Sequence, residues 1–95
     1  MTATIAQKEI MEQLQGDWIS HDELREKYSD VSKSEYDTGV YFLILNFTIG
    51  KYGRPKKYMY IHEDGEIGLW SNENHIILRS LLDAKVAIKN LEAFE

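Results

Sequence analysis

Residues 39–50 read Gly-Val-Tyr-Phe-Leu-Ile-Leu-Asn-Phe-Thr-Ile-Gly, and the fold turns on whether this run is a strand or a helix. Its β-branched and aromatic residues lose rotamer freedom in a helix and pack well on a pleated surface. Apolar side chains fill both alternating sets of positions from Val40 to Ile49, as in a strand covered on both sides. The composition therefore predicts a central or paired strand.

Working outward toward the C-terminus, Gly50-Lys51-Tyr52-Gly53-Arg54-Pro55 is turn chemistry, and Lys57 to His62 again reads as strand. Glu63-Asp64-Gly65 predicts a hairpin turn into Glu66 to Trp70. With Ser71 and Asn72 as a cap, Ile77, Leu81, Ala84, Ile88 and Leu91 recur at spacings of four and three, widened by Leu78 and Leu82, and predict a long helix to about Ala93. Such a stripe is usually core; as a self-association surface it would make a homodimer through the C-terminal helix.

Toward the N-terminus, Thr4-Ile5-Ala6-Gln7 fits a capping box and predicts a helix from about Ile5 to Gln15, stopped at Gly16. Ser20-His21-Asp22-Glu23 is a second capping box, with Ile19 and Leu24 at the staple positions, and starts a short helix ending near Tyr28. The expected fold is α+β: two short N-terminal helices, a two- to three-stranded antiparallel meander, and a long C-terminal helix packed on the sheet. All of it falls in a single compact domain, residues 1–95, consistent with a length of 95 residues that are 43% hydrophobic.

The absence of cysteine excludes disulfide scaffolds, thiolate zinc sites and cysteine nucleophiles. No window approaches the ~18 apolar residues of a membrane span, and the first residues lack a secretory signal, so a cytoplasmic protein with no membrane partner is expected. Charge is segregated. Residues 1–38 carry nine acids against four bases, residues 39–62 carry four bases and no acid, and residues 63–95 carry seven acids against three bases. The central cations Lys51, Arg54, Lys56 and Lys57 are interleaved with Tyr52 and Tyr58.

There is no nucleophile elbow, phosphate loop, dinucleotide fingerprint or paired-histidine helix motif, so no catalytic residue and no cofactor are assigned. His62-Glu63-Asp64 reads as a solvated turn rather than a metal shell. Gly39-Val40-Tyr41 followed by Thr48-Ile49-Gly50 resembles the paired motifs of the GIY-YIG nuclease family, with Thr48 where that family has its second tyrosine. A longer stretch, from Ile5 to Trp70, resembles the winged helix-turn-helix superfamily. Trp18-Ile19-Ser20 stands for its short strand, Asp22-Glu23-Leu24 for its second helix, Val31-Ser32 for its turn, and Tyr36, Val40 and Leu43 for the buried face of its recognition helix. In that resemblance Tyr58 to Trp70 is the wing.

The functional expectation is a small acidic, non-enzymatic interaction protein, in the style of phage inhibitors, anti-CRISPR proteins and toxin-immunity proteins. It would present Asp22, Glu23, Glu26 and Asp30 to the basic surface of a nucleic-acid-handling protein. The alternative is a winged-helix-type DNA-binding regulator that uses Lys51, Tyr52, Arg54, Lys56, Lys57 and Tyr58 on nucleic acid. Under the first reading the lysines of the basic loop only protect an edge strand.

Overall fold

In the computed structural model residues 3–27, 39–50, 55–71 and 74–89 are described. In chain order they form α1 (Ile5–Leu14), β1 (Ile19–Ser20), α2 (His21–Lys27), β2 (Tyr41–Ile49), β3 (Pro55–Ile61), β4 (Ile67–Ser71), β5 (Asn74–Leu78) and α3 (Leu81–Lys89). The strands make one sheet in the order β1-β2-β3-β4-β5, and every neighbouring pair is antiparallel.

This corrects the expected architecture. Among the described residues the sheet has five strands and the C-terminal helix spans nine residues, Leu81–Lys89, because Asn74–Leu78, expected as its first turns, is strand β5. The helical rhythm of Ile77, Leu81, Ala84 and Ile88 crosses a strand-to-helix junction. Ile76 and Leu78 lie opposite Leu69 and Ile67 of β4, and that cross-strand burial outweighs a local period of four and three. The helix starts only at Ser80, whose hydroxyl accepts from the Asp83 N–H at 3.1 Å. Leu91 and Ala93 lie outside the described residues.

The strand at Tyr41–Ile49 agrees with its composition. It also departs from both resemblances. Val40 and Leu43, expected on a recognition helix, lie just before and within a strand, and Tyr36, Val31 and Ser32 lie outside the described residues. Tyr41 and Thr48 stand near opposite ends of that one strand, seven residues or roughly 23 Å apart, so the two tripeptides do not converge.

Both faces of the sheet are covered, which explains why β2 and β3 lack a simple polar alternation. On one face Leu43, Met59, Ile61, Ile67, Leu69 and Leu78 form a core with Leu14 of α1 and Ala84 and Ala87 of α3. On the other, Phe42, Tyr58 and Tyr60 pack with Val40, Ile19 and Leu24, so the staple pair flanking the Ser20–Glu23 capping box is buried. Tyr60 stands opposite Gly68 of β4. Its ring lies across that glycine, where any side chain would collide with it, and its hydroxyl shares a hydrogen bond with Nε2 of His75 on β5.

Helix α1 has the expected capping box: the Gln7 N–H donates to Thr4 Oγ1 at 3.2 Å, and the Thr4 N–H donates to Gln7 Oε1 at 2.9 Å. The same Gln7 is fully buried. Its amide nitrogen donates to the carbonyls of Gly39 at 2.6 Å and Ile61 at 3.0 Å. A single side chain thus caps a helix and fastens it to β3 and the entry of β2. The hairpin at Glu63-Asp64-Gly65 is also as expected, closed by Gly65 N–H to His62 O at 2.9 Å with Gly65 at φ 94°.

Candidate functional site

A groove of about 740 Å³ runs along α1, lined by Ile5, Lys8, Glu9, Met11, Glu12, Gln15, Gly16 and Trp18. Its shape follows from how α1 ends. Gln15 turns out of the helix at φ 49° and Gly16 follows at φ 145°. A Cβ on Gly16 would come within 2.9 Å of a Leu43 methyl, so only glycine lets the chain pass this close to the sheet in this conformation. The turn delivers Trp18 onto the α1 face of the core, where its indole N–H is buried and has no acceptor. A buried donor without a partner costs about 1–3 kcal/mol.

Glu9 and Glu12, one turn apart on α1, are both exposed, and neither makes an ion pair with another described residue. Residues i and i+3 on a helix sit about 5–6 Å apart, a span over which two carboxylates share one guanidinium or ammonium group. Asp17, between α1 and β1, is exposed as well.

Of the acidic residues expected to form the partner face, Asp22 is exposed, with its carboxylate 3.6 Å from His21 Nδ1. Glu26 is exposed and makes no ion pair with another described residue. Glu23 is engaged locally: its carboxylate accepts from the Ser20 N–H at 3.4 Å and the Ser20 hydroxyl at 3.3 Å, closing the second capping box. Asp30 lies outside the described residues. Sequence reading missed Trp18 and the Glu9–Glu12 pair as site residues, although the i, i+3 spacing of the two acids was visible.

The basic segment is placed differently from the expectation. Lys51, Tyr52 and Arg54 lie outside the described residues, and Lys56 is exposed. Lys57 and Tyr58 are buried, at 3% and 4% exposure. Lys57 shares a strand face with Met59 and Ile61 and stands opposite Ser71; its ammonium has no hydrogen-bond partner among the described residues. Tyr58 is stacked on Trp70, with ring centroids 6.1 Å apart, and meets Phe42 edge-on at 5.8 Å. Neither side chain reaches a phosphate or a base from these positions. Nor do Lys56 and Lys57 guard an edge, because β3 lies between β2 and β4.

On α3, Leu82 and Val86 are exposed beside a groove of about 410 Å³ shared with Gln13 and Leu14 of α1. His62 lies edge-on to Tyr60 at 5.0 Å and 3.9 Å from a Glu66 carboxylate oxygen. Among the described residues no three His, Asp or Glu side chains are grouped to hold a metal ion, and no helix is long and apolar enough to cross a membrane. No family model, no curated protein and no solved structure matches the chain, so the functional reading rests on these side chains alone.

Proposed function

We propose that this is a non-enzymatic cytoplasmic interaction protein that captures a basic segment of a partner, such as the nucleic-acid-binding surface of a nuclease, in the groove along α1 and the α1–β1 loop. The observation that carries the reading is the α1 groove, where Glu9 and Glu12 make no ion pair with any described residue and stand beside the apolar lining of Ile5, Met11 and Trp18. A peptide chain with an arginine or lysine suits this groove, since its cation meets the carboxylates and its aliphatic stem lies against Ile5, Met11 and Trp18. Asp17, in the loop that follows α1, adds exposed negative charge, and Asp22 and Glu26 carry more on α2, which packs with the other face of the sheet. They raise the encounter rate with a positive surface by steering it.

The test is titration of the protein with an arginine-rich peptide at low salt, read by tryptophan emission. Saturable binding is expected that weakens steeply as added salt shortens the Debye length toward about 8 Å at physiological ionic strength. It should be lost in Glu9→Lys/Glu12→Lys and give no emission change in Trp18→Phe. Unaltered binding by the charge-reversed variant, in a protein that circular dichroism shows to be folded, would refute the groove as the site. Loss confined to Asp22→Lys/Glu26→Lys would move the site to α2.

A further inference from the structure

We infer that the sheet face opposite α1 stacks the bases of single-stranded nucleic acid on Trp70 and His75, with Lys56 and Arg79 meeting the flanking phosphates. The two rings stand directly opposite each other on β4 and β5, which puts their Cβ atoms about 4.5–5.5 Å apart. Each belongs to a stacked pair. Trp70 lies on Tyr58, with centroids 6.1 Å apart and planes at 20°. His75 lies on Tyr60 at 5.6 Å and 27°, and the Tyr60 ring lies across the backbone of Gly68. Tyr58 and Tyr60 are buried, whereas Trp70 is half-buried and His75 exposed. Two aromatic columns thus rise from the sheet side by side and end in rings that meet solvent.

The exposed histidine ring is held in place before a ligand arrives. The Tyr60 phenol, raised to about 12 chiefly by burial, keeps its proton and donates it to Nε2 of His75. The proton of the neutral imidazole then sits on Nδ1, where it is a donor for the acceptor edge of a base. Every base has a π-face, so stacking on such rings tolerates any sequence. An open platform of two adjacent rings suits successive bases of one strand, the mode in which a sheet surface holds two or three of them. A lone nucleotide would call for an enclosing pocket.

Local charge selects the same occupant. β3, β4 and β5 contain no acidic residue. Lys56 precedes Tyr58 by two positions, which places it on the same face, and Arg79 follows Ile77 by two just past the end of β5; both cations are exposed. They flank the rings along the strand direction. Glu66, which borders this face before β4, stands 3.9 Å from His62 Nε2. The acids of α2 are on this side too, but α2 packs on β1 and β2. From β2 to β5 is three strand spacings, about 14 Å, and the Debye length at physiological salt is about 8 Å. The carboxylates of the α1 groove lie across the sheet. The net charge of −5 is therefore concentrated away from a strip that is itself positive.

The experiment is fluorescence anisotropy of an end-labelled, mixed-sequence oligonucleotide of about 12 nucleotides, within the span one such site covers. It is titrated with the full chain at low salt as single-stranded DNA, as RNA and as the DNA duplex. Saturable binding of a single strand is expected, with far less on the duplex, whose bases are already stacked. Its log–log salt slope should be about −1.4, from about −0.7 for each of two phosphates met. His75→Ala should raise Kd at least about fivefold, equivalent to about 1 kcal/mol of stacking, with circular dichroism unchanged. Lys56→Gln/Arg79→Gln should weaken binding, whereas Lys85→Gln/Lys89→Gln on α3, an equal change of charge on the other face, should not. Absence of binding at low salt overturns the inference. So do equal affinity for the duplex, a Kd unmoved by His75→Ala, and equal losses from the two glutamine pairs. None of these results bears on the α1 groove, which is tested by its own charge reversal.

Discussion

Replacing Gln7 by leucine removes one side chain that serves three backbone groups. Its amide nitrogen satisfies the carbonyls of Gly39 and Ile61, and its amide oxygen holds the Thr4 N–H. Leucine fills the same volume, so no cavity forms and the loss is polar. Each buried acceptor left without its donor costs about 1–3 kcal/mol, and the half-buried Thr4 bond contributes about 0.5–1 kcal/mol. The apolar transfer of leucine offsets about 1–2 kcal/mol. The net expectation is a loss of about 3 kcal/mol, which in a domain of this size lowers Tm by roughly 12–24 °C. Urea unfolding followed by tryptophan fluorescence and circular dichroism measures it, with Gln7→Asn as a companion that keeps the amide one methylene short. If Gln7→Leu lies within about 1 kcal/mol of the parent, the two carbonyls have other donors and α1 is held by packing alone.

Two further outcomes follow from Tyr60. Gly68→Ala should destabilise by about 2 kcal/mol or more, because the new methyl displaces the Tyr60 ring and its bond to His75; shortening Tyr60 in the same chain should recover part of the loss, and strict additivity in that double-mutant cycle would refute the contact. Burial, then the negative charges of Glu66 and ionised Tyr58, push the Tyr60 phenol from 10.0 up to about 12. The folded state therefore holds this proton where the unfolded chain has released it, so the contribution is complete below pH 10 and fades as pH rises from 10 toward 12. The parent should lose more stability than Tyr60→Phe across that window, and parallel pH profiles would contradict the shift.

The local devices were legible in the sequence: the Thr4–Gln7 box, the Ser20–Glu23 box with its Ile19–Leu24 staple, and the turn at Gly65 each depend on residues within a few positions of one another. β5 was not, because what makes it a strand is the pairing of Leu78 with Ile67 and Ile76 with Leu69, while its own residues also fit a helical stripe. Lys57 misleads for a related reason. A lysine in a run of basic residues reads as solvated, yet period two from Met59 and Ile61 already puts it on the core face. In the candidate site the acids were readable as charge, but not the orphaned Trp18 N–H. That depends on Gly16 passing Leu43, a contact between residues far apart in sequence.

The order of the sheet carries a consequence for how the chain acquires its structure. β2 to β5 are joined in sequence by short connections, so their pairings close small loops and should form early. The ties that seat α1 span far more chain: Thr4 Oγ1 reaches the carbonyl of Glu63, 59 residues away, and Gln7 reaches those of Gly39 and Ile61. Contacts of such separation repay their loop-closure entropy only once a template exists. The first helix in the chain is therefore among the last elements to dock, and the acidic groove exists only in molecules whose folding has run to completion.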